Sequence, residues 1–222
     1  VTGNCARWRV PVGIGRVAGA PTVVLGTVDF ANIIGAVFAS ELGEDRRFRR
    51  ISVADGATYA RVSASVDGRF VVAVRNSVEV WLYDTQAPSA TLVGAGSRAL
   101  VNPGGTVVAW ATAPVAPLHL FDIASGIDSV STLIDSLVGA YDSVPVDMSF
   151  DGKFLLVSGG ITGVTSGTAR KPFVYDRQSG TLEPFGVGQQ PDSVGAALTD
   201  DGARALIRFD SAGSPDIGLS QA

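Results

Sequence analysis

Four short runs of β-branched, aliphatic or aromatic residues recur along the chain, each within two residues after a pair of turn-forming residues. The runs are FVVAV at 70–74, TVVAW at 106–110, FLLV at 154–157 and ALIRF at 205–209. The preceding turn-forming pairs are Asp67-Gly68, Gly104-Gly105, Asp151-Gly152 and Asp201-Gly202. Because Asp-Gly and Gly-Gly favour the positive-φ turns of tight hairpins, each pair predicts a turn between two strands.

A second pattern follows the first three runs, where apolar segments end in aspartate at Asp84 (VWLYD), Asp122 (LHLFD) and Asp176 (FVYD). The next residues, TQAP, IASG and RQSG, are turn formers whose Asp and Ser side chains can bond the backbone ahead. A further short strand then completes a unit of four strands in about 37 to 50 residues, the period of a propeller blade. No segment shows a helical pattern of comparable strength.

The sequence therefore predicts an all-β chain, a β-propeller of four-stranded antiparallel blades. We expect a single domain over 1–222 with five blades, and part of a larger six- to eight-bladed ring is the alternative. The approximate blade boundaries are 1–56, 57–96, 97–140, 141–188 and 189–222. Residues 7–12 (RWRVPV) are expected to complete the last blade, because such closure removes an exposed sheet edge.

The repeated motif S-x-D-G-[KR]-F, followed by an aliphatic run and an aromatic strand ending in Asp, resembles the blades of TolB-type and related WD-like bacterial β-propellers. The resemblance covers about residues 57–210. It implies that the Asp-Gly turn joins the first and second strands of a blade and that the later Asp turn joins the third and fourth. Gly104 departs from the motif, since the other three copies have Asp at that position.

Composition narrows the classes of function. The hydrophobic fraction of 46%, the charged fraction of 17% and the 27 glycines are typical of a turn-rich globular protein. The net charge of −4 argues against nucleic-acid binding, which needs a basic excess. A single cysteine, Cys5, and a single histidine, His119, predict no metal site, and we expect no cofactor. No apolar run is long enough for a membrane span. Because the sequence starts at Val1, we expect an exported chain that is periplasmic or extracellular.

Three motifs have a structural and a functional interpretation. GIGRVA at 13–18 matches a dinucleotide fingerprint, but Gly19 and Pro21 exclude the helix that it requires, which favours a glycine-rich hairpin. His119 lies in a predicted third strand and is expected to fill space between blades. RRFRR at 46–50 carries charge on both faces of a strand, which favours a protected outer edge, and a local site for an anion or an acidic partner is the alternative.

The sequence assigns no catalytic residue. Most aspartates have turn roles, and Asp142 and Asp147 are the least explained acids. They leave open a hydrolase or lyase, similar to propeller glycosidases, that uses channel carboxylates. A structural subunit that assembles through its outer strands is a further alternative.

In an up-and-down blade the two Asp-based turns share one face, so we expect recognition on the other face, where variable loops such as 158–171 lie. The candidate binding residues are Arg75, Asn76, Tyr141, Asp142, Arg170, Lys171, Gln189 and Gln190. The sequence thus favours a non-catalytic binding or assembly module whose partner is another protein or copies of itself.

Overall fold

A computed structural model of the chain divides into two compact units, residues 1–101 and 102–222. The structure describes residues 8–17, 20–28, 34–41, 48–52, 56–87, 89–112, 117–131, 144–159, 171–184, 193–211 and 214–221. Within these ranges the secondary structure is strands and turns, with no helix.

The first unit contains one antiparallel sheet of eight strands in the order β1-β2-β3-β5-β6-β7-β8, with β4 paired to β3. Its strands are β1 (Trp8–Val17), β2 (Ala20–Val28), β3 (Ile34–Glu41), β4 (Phe48–Arg50), β5 (Tyr59–Ala64), β6 (Phe70–Arg75), β7 (Glu79–Asp84) and β8 (Ser89–Ala95). One residue pair, Ile34 with Tyr59, connects β3 to β5. Strands β5 to β8 therefore form a four-stranded antiparallel meander. Val37 of β3 also packs with Tyr59 and Val71 of this meander.

The prediction that residues 7–12 complete the last blade is wrong for the described strand β1. It pairs with its sequence neighbour β2, with Val17 opposite Ala20. A hairpin this short costs little loop-closure entropy, whereas pairing with a strand at the other end of the chain closes a very long loop. Gly13 lies within β1, opposite Val24, as expected for a hairpin and not for a phosphate-binding turn.

The remaining strands form three further antiparallel sheets in chain order. The first is β12-β11-β10-β9, the second β13-β14-β15-β16 and the third β17-β18-β19. The strands are β9 (Arg98–Val101), β10 (Val107–Ala111), β11 (Leu118–Asp122), β12 (Ile127–Ser131), β13 (Val144–Met148), β14 (Phe154–Gly159), β15 (Lys171–Asp176), β16 (Thr181–Pro184), β17 (Ser193–Leu198), β18 (Arg204–Ser211) and β19 (Ser214–Gln221). The all-β meander predicted from the sequence is confirmed. The single domain and the blade boundaries stay predictions.

The second strand of each four-stranded meander is the most buried. All five residues of β10 are buried, as are Val71 to Val74 of β6. Such uniformly apolar strands are expected where both faces of a sheet are covered. In the second unit Leu156 of β14 packs with Ala205 and Ile207 of β18. Neighbouring sheets of this unit therefore share a core through their second strands.

Candidate functional site

Each Asp-Gly turn is closed by side-chain hydrogen bonds to the backbone. In the first turn the Phe70 N–H donates to Ser65 Oγ at 3.0 Å, and the Arg69 N–H donates to Asp67 Oδ1 at 3.0 Å. The Ser65 hydroxyl in turn donates to Asp67 Oδ1. Gly68 has a φ of 68°, a left-handed conformation that favours glycine. Ser, Asp and Gly therefore each have a defined role in the hairpin.

The same geometry recurs in two other turns. Ser149 and Asp151 accept from the N–H groups of Phe154 and Lys153. In the last copy Thr199 replaces serine and accepts from the Arg204 N–H, while Asp201 accepts from the Ala203 N–H. These hydrogen bonds stabilise the charged carboxylates. The Lys153 N–H and the Ser149 hydroxyl lower the pKa of Asp151, and the Thr199 hydroxyl and the Ala203 N–H lower the pKa of Asp201.

The turn at Gly104 reaches the same shape by different means. Asn102 Oδ1 alone accepts from both the Thr106 and the Val107 N–H groups, each at 2.8 Å. A Cβ atom at Gly104 would collide with the backbone carbonyl oxygen of Phe150. Because no aspartate fits at this position, the asparagine three residues before Gly105 performs the work that Ser and Asp share elsewhere.

The later Asp turns are built in the same local way. Asp84 accepts from the Gln86 N–H at 2.9 Å, and Asp176 accepts from the Gln178 N–H at 2.7 Å. Asp122 accepts from both the N–H and the hydroxyl of Ser125, which lower the pKa of its carboxyl. All aspartates that the sequence assigned to turns among the described residues are hydrogen-bonded to nearby backbone.

Both kinds of Asp turn lie at the same end of a sheet, as the up-and-down topology predicts. The Thr85 N–H donates to the Arg69 carbonyl at 2.7 Å, and the Arg177 N–H donates to the Lys153 carbonyl at 2.9 Å. Arg69 also forms an ion pair with Asp84 at 3.0 Å. We call this end of each sheet the turn end and the opposite end the loop end.

Neighbouring sheets of the second unit are joined at their turn ends. The carbonyl oxygen of Phe150 accepts from Asn102 Nδ2 at 2.7 Å, and the Phe150 N–H donates to Asp200 Oδ1 at 2.7 Å. The backbone of Phe150, in the first turn of the β13–β16 sheet, thus contacts the equivalent turns of both neighbouring sheets. The phenylalanine ring itself is 52% exposed.

Asp147, one of the two acids that the sequence left unexplained, makes a contact between sheets. Its Oδ2 accepts from the Leu198 N–H at 2.7 Å. Burial raises the pKa of this carboxyl, and the nearby charge of Asp200 adds to the rise. The first unit has an equivalent bond, from the Val101 N–H to Ser63 Oγ at 3.3 Å. Asp147 and Ser63 each lie two residues before the serine of a turn, so the structure gives Asp147 a packing role.

At the loop end of the β5–β8 sheet, a tight hairpin connects β6 to β7. Asn76 and Ser77 have φ values of 51° and 64°, and Asn76 Oδ1 accepts from the Thr58 N–H at 3.2 Å. The Asn76 N–H also donates to the Thr58 carbonyl at 2.8 Å. Asn76, a sequence-predicted binding residue, therefore holds the hairpin in place.

Arg75, the neighbouring candidate, lies beside two other side chains. Its guanidinium forms an ion pair with Glu79 at 2.6 Å and lies 5.7 Å from the centre of the Trp81 ring. Trp81 Nε1 donates to the same carboxylate at 3.0 Å. Val78, at the end of this hairpin, is 59% exposed and is not among the residues that the sequence pattern singled out. The available signal was its position directly after the turn residues Asn76 and Ser77.

Of the other predicted binding residues, the structure describes Lys171. Lys171 is the first residue of β15 and pairs with Gly159. Tyr141, Asp142, Arg170, Gln189 and Gln190 lie outside the described residues. The loop that contains Arg170 also lies outside them, and the role predicted for these residues stays a prediction.

His119 contacts residues of its own sheet. Its ring stacks on Trp110 with 3.7 Å between ring centroids, and Nδ1 lies 2.6 Å from Asp128 Oδ2. In the part of the chain that the structure describes, no three His, Cys, Asp or Glu side chains are grouped so that they could hold a metal ion. The same residues include no helix of the length and apolarity needed to cross a membrane.

Comparisons with known proteins identify the fold. No family model and no curated protein matches the chain. Solved structures do match: a putative TolB from Agrobacterium tumefaciens has a TM-score of 0.61 at 13% identity, over 95% of this chain and 76% of that one. TolB from Acinetobacter baumannii has a TM-score of 0.57 at 12% identity, over 84% of this chain and 46% of that one. A chain of the Mitotic Checkpoint Complex has a TM-score of 0.58 at 12% identity, over 100% of this chain and 65% of that one.

The chain therefore spans less than two thirds of the Acinetobacter TolB and of the checkpoint chain. Together with the antiparallel four-stranded sheets, these matches show a β-propeller fold of the TolB-like and WD-like kind. The fold and the family resemblance predicted from the repeated turns are confirmed at this level.

Proposed function

We propose that this chain is a non-catalytic protein-binding module whose sheets act as a scaffold and whose loop ends contact a partner protein. The observation that carries the proposal is the contrast between the two ends of the β5–β8 sheet. At the turn end the charged Asp67 and Asp84 hold the backbone next to Val66, which is 47% exposed. At the loop end Val78 is 59% exposed, and the Arg75 guanidinium lies over the Trp81 ring. The likeness to a chain of the Mitotic Checkpoint Complex, an assembly by its name, favours the same class of function.

The hairpin from Asn76 to Val78 is suited to a binding role because its backbone is fixed. The Val78 N–H donates to the Arg75 carbonyl at 3.1 Å, and the Val78 carbonyl accepts from the Gly96 N–H at 2.8 Å. An apolar side chain held in one place loses little conformational freedom when a partner covers it. The Trp81 ring and the Arg75 guanidinium offer additional contact area, of the residue types that dominate protein interfaces.

The binding set of the second unit is proposed on the same principle. Lys171 is the first residue of β15, and the up-and-down topology predicts loop-end connections for the other candidates, Tyr141, Asp142, Arg170, Gln189 and Gln190. Aromatic, arginine and amide side chains in such connections supply contact area and hydrogen bonds for a protein surface. We place protein contacts there and assign these residues no catalytic role.

Export of the chain is part of the proposal. The likeness to two TolB structures is the observation that favours an exported location. The chain would then find its partner outside the cytoplasm.

Site-specific photo-crosslinking tests the proposal. A photo-reactive amino acid replaces Val78 at the loop end in one variant and Val66 at the turn end in the other. Both valines are exposed, at 59% and 47%, and they flank the same strand, β6. We expect one defined protein to be crosslinked through position 78 in cells of the source organism and not through position 66. Equal crosslinking of the same protein through both positions, or none through position 78, would overturn the proposal.

A further inference from the structure

Strand β8 forms one edge of its sheet. Among the described strands it pairs with β7 alone, in continuous register from Ser89 opposite Asp84 to Leu92 opposite Trp81. An edge strand presents a row of outward N–H and C=O groups that can pair with another strand. The side chains of Ser89 to Leu92 are all exposed, so nothing among the described residues covers this segment.

The equivalent edge strands of the next two sheets are protected in ways that β8 is not. Strand β12 has five residues and contains Asp128, and β16 has four residues and contains Glu183 and Pro184. Short length, charge and proline are the common devices that prevent edge-to-edge pairing. Strand β8 has seven residues, SATLVGA, with neither a charge nor a proline.

A bulge limits how much of β8 is available. The pairing with β7 shifts between Val80 and Trp81, so that Val93 is the extra residue on β8. Bulges twist an edge away from regular pairing. The segment Ser89–Leu92 lies before the bulge and keeps a regular register.

We propose that Ser89–Leu92 of β8 pairs antiparallel with the same segment of a second copy of this chain, joining two β5–β8 sheets across a two-fold axis. This proposal is independent of partner binding at the loop end. Strand addition of this kind draws its affinity from main-chain hydrogen bonds.

The absence of charge on β8 indicates that the strand that pairs with it belongs to a second copy of this chain. A two-fold axis at Thr91 places Thr91 opposite its own copy and Ala90 opposite Leu92, so a charge at the centre of such an edge would meet the same charge and be repelled. The uncharged SATL sequence meets no such penalty, whereas Asp128 on β12 would. A different partner protein would gain selectivity from charges on the edge, and β8 offers none.

The test compares Thr91→Lys on β8 with Val130→Lys on β12. Val130 is 48% exposed and lies on the protected edge, so the substitution controls for added surface charge. Analytical ultracentrifugation over a concentration series is expected to show wild-type and V130K chains approaching twice the 22.8 kDa chain mass. The T91K chain is expected to associate about tenfold more weakly, because two lysines meet across the axis.

A mixing experiment separates pairing from misfolding. T91K and T91E are each expected to associate more weakly than the wild-type chain at the same concentration and to keep the wild-type circular dichroism spectrum. Their equimolar mixture is expected to recover the dimer, since opposite charges then face each other across the axis. A wild-type chain that stays monomeric throughout the series, a T91K chain that dimerises like V130K, or a mixture without recovery would each overturn the proposal.

Discussion

Asn102 and Phe150 lie 48 residues apart in sequence, and the Asn102 side-chain amide donates to the Phe150 carbonyl oxygen at 2.7 Å. The same carbonyl accepts from the Gly104 N–H at 3.0 Å. The turn that departs from the S-x-D-G motif is therefore fitted closely to the next sheet. The missing aspartate and the contact between sheets have one cause, the approach of the Phe150 carbonyl to Gly104.

Gly104→Ala tests this close approach. The added methyl group would collide with the Phe150 carbonyl, so we expect the free energy of unfolding to fall by about 1–3 kcal/mol. Gly126→Ala is the comparison, because a Cβ there meets nothing within 4 Å and only the φ of 69° opposes it. Urea unfolding should show the larger loss for G104A. A G104A loss no larger than that of G126A would contradict the close contact.

Substitutions at Asn102 test how one side chain replaces Ser and Asp. Asn102→Ala leaves two backbone N–H groups, those of Thr106 and Val107, without their acceptor. We expect a loss of about 2–4 kcal/mol in the free energy of unfolding. Asn102→Ser should lose less, because a serine in this slot accepts the second of these N–H groups in the turns at Ser65 and Ser149. Equal losses for both variants in urea unfolding would mean that the acceptor role is unimportant.

The turn aspartates predict how stability depends on pH. The pKa of Asp151 is lowered in the folded chain, so its contribution is fully present above its ordinary pKa and is lost as pH falls through the folded-state pKa. We expect Asp151→Asn to weaken the decline in stability between about pH 6 and about pH 3, because an amide does not titrate. Urea titrations at several pH values measure this slope. The same slope in wild type and D151N would show that this carboxylate does not stabilise the fold by being charged.

Asp147→Asn separates a packing role from a chemical one. The pKa of Asp147 is raised by burial, so its ionised form costs stability above the folded-state pKa, and the cost disappears as pH falls below the ordinary value. An asparagine oxygen can still accept from the Leu198 N–H. We therefore expect D147N to be at least as stable as wild type at neutral pH and Asp147→Ala to be less stable. Thermal unfolding measures both, and a D147N chain as unstable as D147A would refute the packing role.

The turns and hairpins could be predicted from the sequence because each depends on residues that are close together along the chain. The Asp67 and Asp122 turns use hydrogen bonds that reach only two or three residues ahead, so their motifs predict their geometry. The repeated spacing of these turns then predicted the antiparallel sheets and the resemblance to TolB-type blades.

What the sequence did not provide depends on contacts between distant residues. Asn102 and Asp147 act on Phe150 and Leu198 of neighbouring sheets, and no pattern near either residue reveals that contact. The prediction that β1 completes the last blade was wrong because the alternating pattern of a strand does not determine which strand it pairs with. At the loop end, the sequence selected Arg75 and Asn76 for their chemistry, and the structure adds the exposed apolar side chain of Val78.

The most direct test of the proposed function is the affinity of the purified chain for the protein that crosslinks through position 78. Val78→Arg is expected to weaken that affinity at least about tenfold, because it removes the exposed apolar side chain of the loop-end hairpin. Val66→Arg, at the turn end of the same sheet, is expected to bind as tightly as wild type. Equal affinities for V78R and wild type, or a loss confined to V66R, would contradict partner binding at the loop end.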